Sequence, residues 1–137
     1  MRIISGTYKG KRIFPPKDDK TRPLRDLVKE SIFNLISHSK KFNIKIYNSN
    51  ILDLFSGCGS FGLECISRGA KNILFIEYYA EALKVLKKNI FSIKEEDKCN
   101  IINENCFDYI KNLKDFDQKF NIIFIDPPYK EKKINDL

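Results

Sequence analysis

The 137-residue sequence predicts an α/β domain, a parallel sheet with helices on both faces, preceded by a small basic hairpin and a helix. Three observations carry this. Short apolar runs at 51–55, 73–76, 100–102 and 121–125 have the length and composition of strands buried on both faces. Segments at 60–68, 79–90 and about 107–112 alternate with them in helical pattern, as βα units require. The first run also leads directly into a glycine-rich turn that opens a helix, Ser56-Gly57-Cys58-Gly59-Ser60-Phe61-Gly62.

Each element has its own justification. Ile3-Ile4 and Arg12-Ile13-Phe14 flank Gly6-Thr7-Tyr8-Lys9-Gly10, which predicts the hairpin. Residues 15–20 are a linker by composition, and Thr21-Arg22-Pro23 opens a helix with proline in its first turn. The apolar positions Leu24, Leu27, Val28, Ile32, Leu35 and Ile36 recur at helical spacing and are expected to form that helix's core face. Gly69 is expected to cap the helix at 60–68. A sheet ending with the run at 121–125 would present an apolar edge. The expected organisation is a basic extension over 1–20 and an α/β domain over 21–137.

Composition excludes several classes. No apolar run approaches the ~18 residues of a membrane span, and the first six residues lack the apolar core of a secretory signal. Cys58, Cys65, Cys99 and Cys106 form no CxxC pair and His38 is the single histidine, which argues against a zinc site or a disulfide framework. Reduced thiols and a cytoplasmic location are expected, with Cys58 and Cys65 as packing residues. The net charge of +7 is unevenly spread. Residues 1–45 hold 12 basic and 4 acidic side chains, against 13 and 14 in the remainder. A basic first third predicts a polyanionic partner, most simply nucleic acid.

The glycine-rich turn matches GxGxxG through Gly57, Gly59 and Gly62, which alone would suit a dinucleotide. Asp53 at the preceding strand end argues otherwise, since a carboxylate there repels pyrophosphate and attracts a cation such as the ammonium group of S-adenosylmethionine (SAM). Glu77, ending the second strand, is suited to the hydroxyls of an adenosine ribose. Asn105-Cys106 follows the third strand, where the Asn105 side chain could meet an adenine edge.

The fourth strand ends in Asp126-Pro127-Pro128-Tyr129. An exocyclic amine on a base is a poor nucleophile, because its lone pair is delocalised into the ring. Held between the Asp126 carboxylate and the Pro127 carbonyl, it can turn that lone pair toward a methyl group. The prolines stiffen the acceptors and Tyr129 offers a stacking face for the base.

With these motifs the chain resembles the class I SAM-dependent methyltransferases that modify exocyclic amines. More narrowly it resembles the RsmD family, which methylates guanine N2 in 16S ribosomal RNA. The resemblance rests on MRIISGTYKGKRIFPP, TRPLRDLVKESIFNLI, LDLFSGCGSFGLECISRGA and DPPY, and covers essentially all residues. It implies a Rossmann-like sheet whose three further C-terminal strands are missing here. It implies a SAM pocket at Asp53, Phe55, Gly57, Gly59, Glu77, Asn105 and Cys106, and a target-amine site at Asp126, Pro127 and Tyr129. Lys9, Lys11, Arg12 and Arg22 would hold RNA, with no metal required. Asn105 stands where the family usually has aspartate. The implied partner is 16S rRNA or a small-subunit assembly particle, met by a monomer. The alternatives are an N6-adenine nucleic-acid methyltransferase, a truncated non-catalytic RNA-binding remnant and a dinucleotide-dependent oxidoreductase.

Overall fold

The computed structural model describes residues 1–18, 24–41, 43–113 and 118–137. Strands β1 (Asn50–Asp53), β2 (Asn72–Ile76), β3 (Cys99–Ile102) and β4 (Ile122–Phe124) form one parallel sheet in the order β3-β2-β1-β4. Helices α1 (Asp26–His38), α2 (Ser60–Ser67), α3 (Ala80–Ile93) and α4 (Cys106–Asn112) cover it. The sheet is Rossmann-like, as expected. Its chain order reverses beside β1, because β2 and β3 build to one side and β4 to the other.

Alternation along the strands divides the core in two. Ile51, Ile73, Phe75 and Cys99 face the larger cluster, where they meet α2, α3, Phe33 of α1 and the hairpin residues Ile3 and Ile13. Leu52, Leu74 and Ile76 face the opposite way, onto Cys106 and Phe107 of α4. Phe33, Phe61 and Phe124 stack in series, with centroids 5.2 and 3.8 Å apart, and so tie α1 and α2 to β4. Each such pair is worth ~0.5–1.5 kcal/mol beyond simple burial. β4 forms one edge of the sheet and β3 the other, with Ile123 of β4 and the following Ile125 about half exposed.

The hairpin arms pair around Arg2 and Arg12, with Ile3 N on the Lys11 carbonyl and Ile13 N on that of Met1, and lie lengthwise on the helices. Its first arm descends α2: Glu64 accepts from the Ile4 and Ser5 amides, and Ser67 accepts from Thr7 and Tyr8. Its turn lies at the C-terminal end of α3, where the Tyr8 hydroxyl bonds Glu95. Its second arm climbs α3 to Phe14, whose amide and carbonyl are both held by Asn89. Gly6 makes this docking possible. At φ +84, a Cβ there would lie 1.9 Å from the Ser67 carbonyl oxygen.

α1 differs from expectation in its rotation. Leu27, Val28 and Leu35 of the anticipated core stripe point to solvent at 75, 46 and 61 % exposure, while Lys29 and Phe33 are fully buried. The cause is local. Phe33 stacks on Phe61 and under the Arg68 guanidinium, and the Lys29 ammonium bonds the Arg2 carbonyl and faces Glu64. Those contacts are unavailable to the aliphatic stripe. The expected opening of this helix at 21–23 lies outside the described residues.

Gly69 caps α2 as expected, at φ +92. Its amide bonds the Ile66 carbonyl and that of Ala70 bonds Cys65, a Schellman pair. All four cysteines are buried and unpaired by disulfides, Cys58 and Cys65 included. Burial pushes the Cys58 thiol up to about 11.

Candidate functional site

Open α/β sheets bind ligands outside the carboxyl ends of their strands, where the order reverses. Here the order reverses between β1 and β4. Asp53 ends β1 and pairs in register with Phe75 of β2 and Phe124 of β4. Glu77 and Asp126 each lie two residues beyond those partners, so three strand ends deliver three carboxylates to one edge.

Asp53 is the most constrained of them. It is 1 % exposed, and its Oδ1 has no hydrogen-bond partner. Its carboxyl is raised to about 8, first by burial and then by the charges of Glu77 and Asp126. The backbone amides of Gly62 and Phe55 pull the other way. A buried carboxyl with one unpartnered oxygen among acidic neighbours is a seat for positive charge.

The sign of its linkage follows. The folded carboxyl lies above its ordinary value of 3.8, so its contribution is full below about pH 4 and is lost as pH rises toward 8. Asp53→Asn removes this loss. Thermal melts should show the variant gaining on the wild type between about pH 5 and 7, by ~1 kcal/mol per pH unit. A difference that does not change with pH would contradict the raised carboxyl.

The loop from β1 to α2 is built by its small residues. The Ser56 hydroxyl lies 2.8 Å from the Asp53 carbonyl and 3.1 Å from that of Ile76, pinning the turn between two strands. Gly57 and Gly59 take φ +52 and +82, open to glycine at no cost. Gly62 serves packing instead, since a Cβ there would meet the Phe75 ring at 2.3 Å.

Glu77 closes the loop from the other side. One oxygen accepts from Gly57 N at 2.8 Å, and the other from the Tyr78 and Tyr79 amides at the start of α3. Asn105 is the N-cap of α4, its oxygen accepting from Phe107 N at 2.9 Å. The atom that the sequence reading directs at an adenine amine therefore already holds a helix. The adjoining Cys106 is buried, and Phe55 meets Phe107 edge-on at 6.1 Å.

After β4 the chain leaves the sheet at once. Leu54 N bonds the Phe124 carbonyl, and beyond it Asp126 is exposed, Pro127 half-buried and Tyr129 90 % exposed. Partial loss of solvent raises the Asp126 carboxyl above its usual range. Lys9, Lys11 and Arg12 are exposed on the hairpin, while Arg22 lies outside the described residues. Among the described residues, no three His, Cys, Asp or Glu side chains converge as a metal ion would need, and no helix is long and apolar enough to cross a membrane.

Three supporting residues escape a reading of the sequence. Asn89 donates to the Cys58 carbonyl at 2.9 Å while holding Phe14, so one buried amide joins the glycine loop to the hairpin. Lys29 and Glu64, both fully buried, join the hairpin to α1 and α2. The available signal was polar residues set within apolar helical faces: Asn89 beside Ile90, and Glu64 inside Leu63-Glu64-Cys65-Ile66.

The family described as Conserved hypothetical protein 95 matches residues 1–137. Ribosomal RNA small subunit methyltransferase D of Haemophilus influenzae is 33 % identical over 94 % of this chain and 64 % of its own length. That of Escherichia coli is 31 % identical over all of this chain and 66 % of its own. The chain thus spans about two thirds of these relatives. Among solved structures, yhhF from Escherichia coli superposes with a TM-score of 0.73 at 31 % identity, over 95 % of this chain and 65 % of that one. A hypothetical protein of Thermus thermophilus, TTHA0928, reaches 0.80 at 23 % identity over 98 % and 73 %, a likeness of fold.

Proposed function

The chain belongs to the Conserved hypothetical protein 95 family, the RsmD methyltransferases, and from that premise we propose that it transfers a methyl group from SAM to N2 of a guanine in 16S rRNA. The observation that carries the cofactor half is the buried Asp53 with its unpartnered oxygen, flanked by Glu77 and Asp126. A cation with an amino group and ribose hydroxyls suits that donor set, whereas a pyrophosphate would meet three carboxylates. In this reading Asp53 takes the ammonium group and Glu77 the ribose, with Phe55, Gly57, Gly59 and the Asn105-Cys106 turn forming the walls.

SAM supplies an electrophilic methyl group on sulfur. The protein's share is to present the nucleophile. Asp126 accepts one N–H of the guanine amine and the Pro127 carbonyl the other, which aligns the nitrogen lone pair. Asp126 also neutralises the charge that grows on nitrogen as the methyl arrives. Tyr129, almost wholly exposed, suits stacking with an extruded base. Residues 1–20, with Lys9, Lys11 and Arg12, act as the RNA-binding extension of the methyl-transfer domain, aided by Arg22.

The test is product identity. Incubation with methyl-tritiated SAM and small-subunit rRNA, followed by digestion to nucleosides, should place label in N2-methylguanosine. Label in N6-methyladenosine would replace the guanine reading with the adenine one. Calorimetric binding of NAD in place of SAM would overturn the cofactor.

A further inference from the structure

The outer face of α3 has no role in the site described above, and it has an unusual makeup. Lys84, Lys87, Lys88 and Phe91 recur at i, i+3, i+4 and i+7, with Lys94 capping the helix just beyond. Phe91 is 72 % exposed in the middle of these cations. The inward face is complete without it, since Leu83, Leu86, Ile90 and Ile93 fill the core.

Acidic groups lie at both ends of this face, and Glu96 and Asp97, in the turn beyond Lys94, make no ion pair among the described residues. Glu81 pairs with Lys84, and Glu95 takes Lys98 and the Tyr8 hydroxyl. Lys87, Lys88 and Lys94 make no ion pair among the described residues. The hairpin's cations also abut this face. Lys88 and Arg12 share the Phe14 ring, at 3.9 and 5.1 Å from its centroid, and the Lys11 ammonium reaches the Ser92 carbonyl at 3.4 Å.

We propose that this face of α3 is a second RNA contact, with its lysines following the phosphates and Phe91 stacking an unpaired base. The proposal rests on the RNA substrate proposed above and extends it ~20 Å from the strand ends, the length of a 14-residue helix. Charge alone would suit any polyanion. An aromatic ring held in water among cations suits single-stranded nucleic acid, whose bases offer planar faces between phosphates. A paired helix would present phosphates with no free base for the ring.

The chain has no tryptophan, so Phe91→Trp creates a single fluorescent reporter at the stacking position. Titration at low salt with single-stranded oligoadenylate should quench its emission about twofold or more, and heparin, a polyanion without bases, should bind without quenching. Phe91→Ala should weaken binding of labelled oligoadenylate about tenfold. Binding of oligoadenylate without quenching, or equal quenching by heparin or polyglutamate, would overturn the stacking contact and leave the RNA substrate standing. If neither oligoadenylate nor rRNA binds the wild type at low salt, the RNA reading falls, and this inference with it.

Discussion

Asp126→Ala should lower methyl transfer at least ~10²–10³-fold, the usual loss when one preorganised partner of a reacting group is removed. SAM affinity should stay nearly intact, because Asp126 lies on the open strand end while Asp53 and Glu77 flank the glycine loop. Single-turnover transfer and calorimetric SAM binding separate these quantities. Asp126→Asn keeps a neutral acceptor and should fall between wild type and alanine. Removing the Asp126 charge also takes away one of the groups that hold the Asp53 carboxyl up, so that carboxyl should titrate lower in the variant. A parallel loss of SAM affinity and turnover would instead assign Asp126 to the cofactor half.

The second large effect lies away from the chemistry. Glu64→Ala should destabilise the fold by ~3–5 kcal/mol, read as a lower urea midpoint. The carboxylate faces the fully buried Lys29 at 3.5 Å, bonds Arg68 Nε at 2.9 Å and accepts from the Ile4 and Ser5 amides. Alanine leaves an ammonium and two amides without that partner at once. Lys29→Met should cost less, since Glu64 keeps Arg68 and both amides, and the burial that depresses the lysine is removed with it. The double variant should be less damaging than the sum of the singles. Simple additivity would mean that the pair is not coupled.

Much of this was legible before any coordinates. Four strands, three of the helices and the Gly69 cap fall within a few residues of their expected places, because β-runs and turn glycines are local signals. Asp53, Glu77 and Asp126 were each legible as strand-end carboxylates, but their meeting at one edge comes from the register that sets Asp53 against Phe75 and Phe124. The rotation of α1 did not, for a physical reason. Hydrophobic periodicity weighs Leu27, Val28 and Leu35 above Lys29, yet burial of Lys29 depends on Glu64, 35 positions away in the sequence. Asn105 was legible as a side chain after the third strand suited to an adenine edge, but its use as a helix cap emerges only from the bond to Phe107.

Ile3 and Ile13 are each 1 % exposed in the main core. The hairpin is therefore no detachable module, and its basic side chains are mounted on the same segments that complete the hydrophobic interior. Deleting residues 1–14 would open the core, so a loss of the proposed RNA binding in that deletion would be uninformative. A tag or fusion that draws Met1 outward would act in the same direction, because Ile13 N bonds the Met1 carbonyl. Genetic dissection of this end calls for charge reversal at Lys9, Lys11 and Arg12, which leaves the apolar face of the hairpin in place.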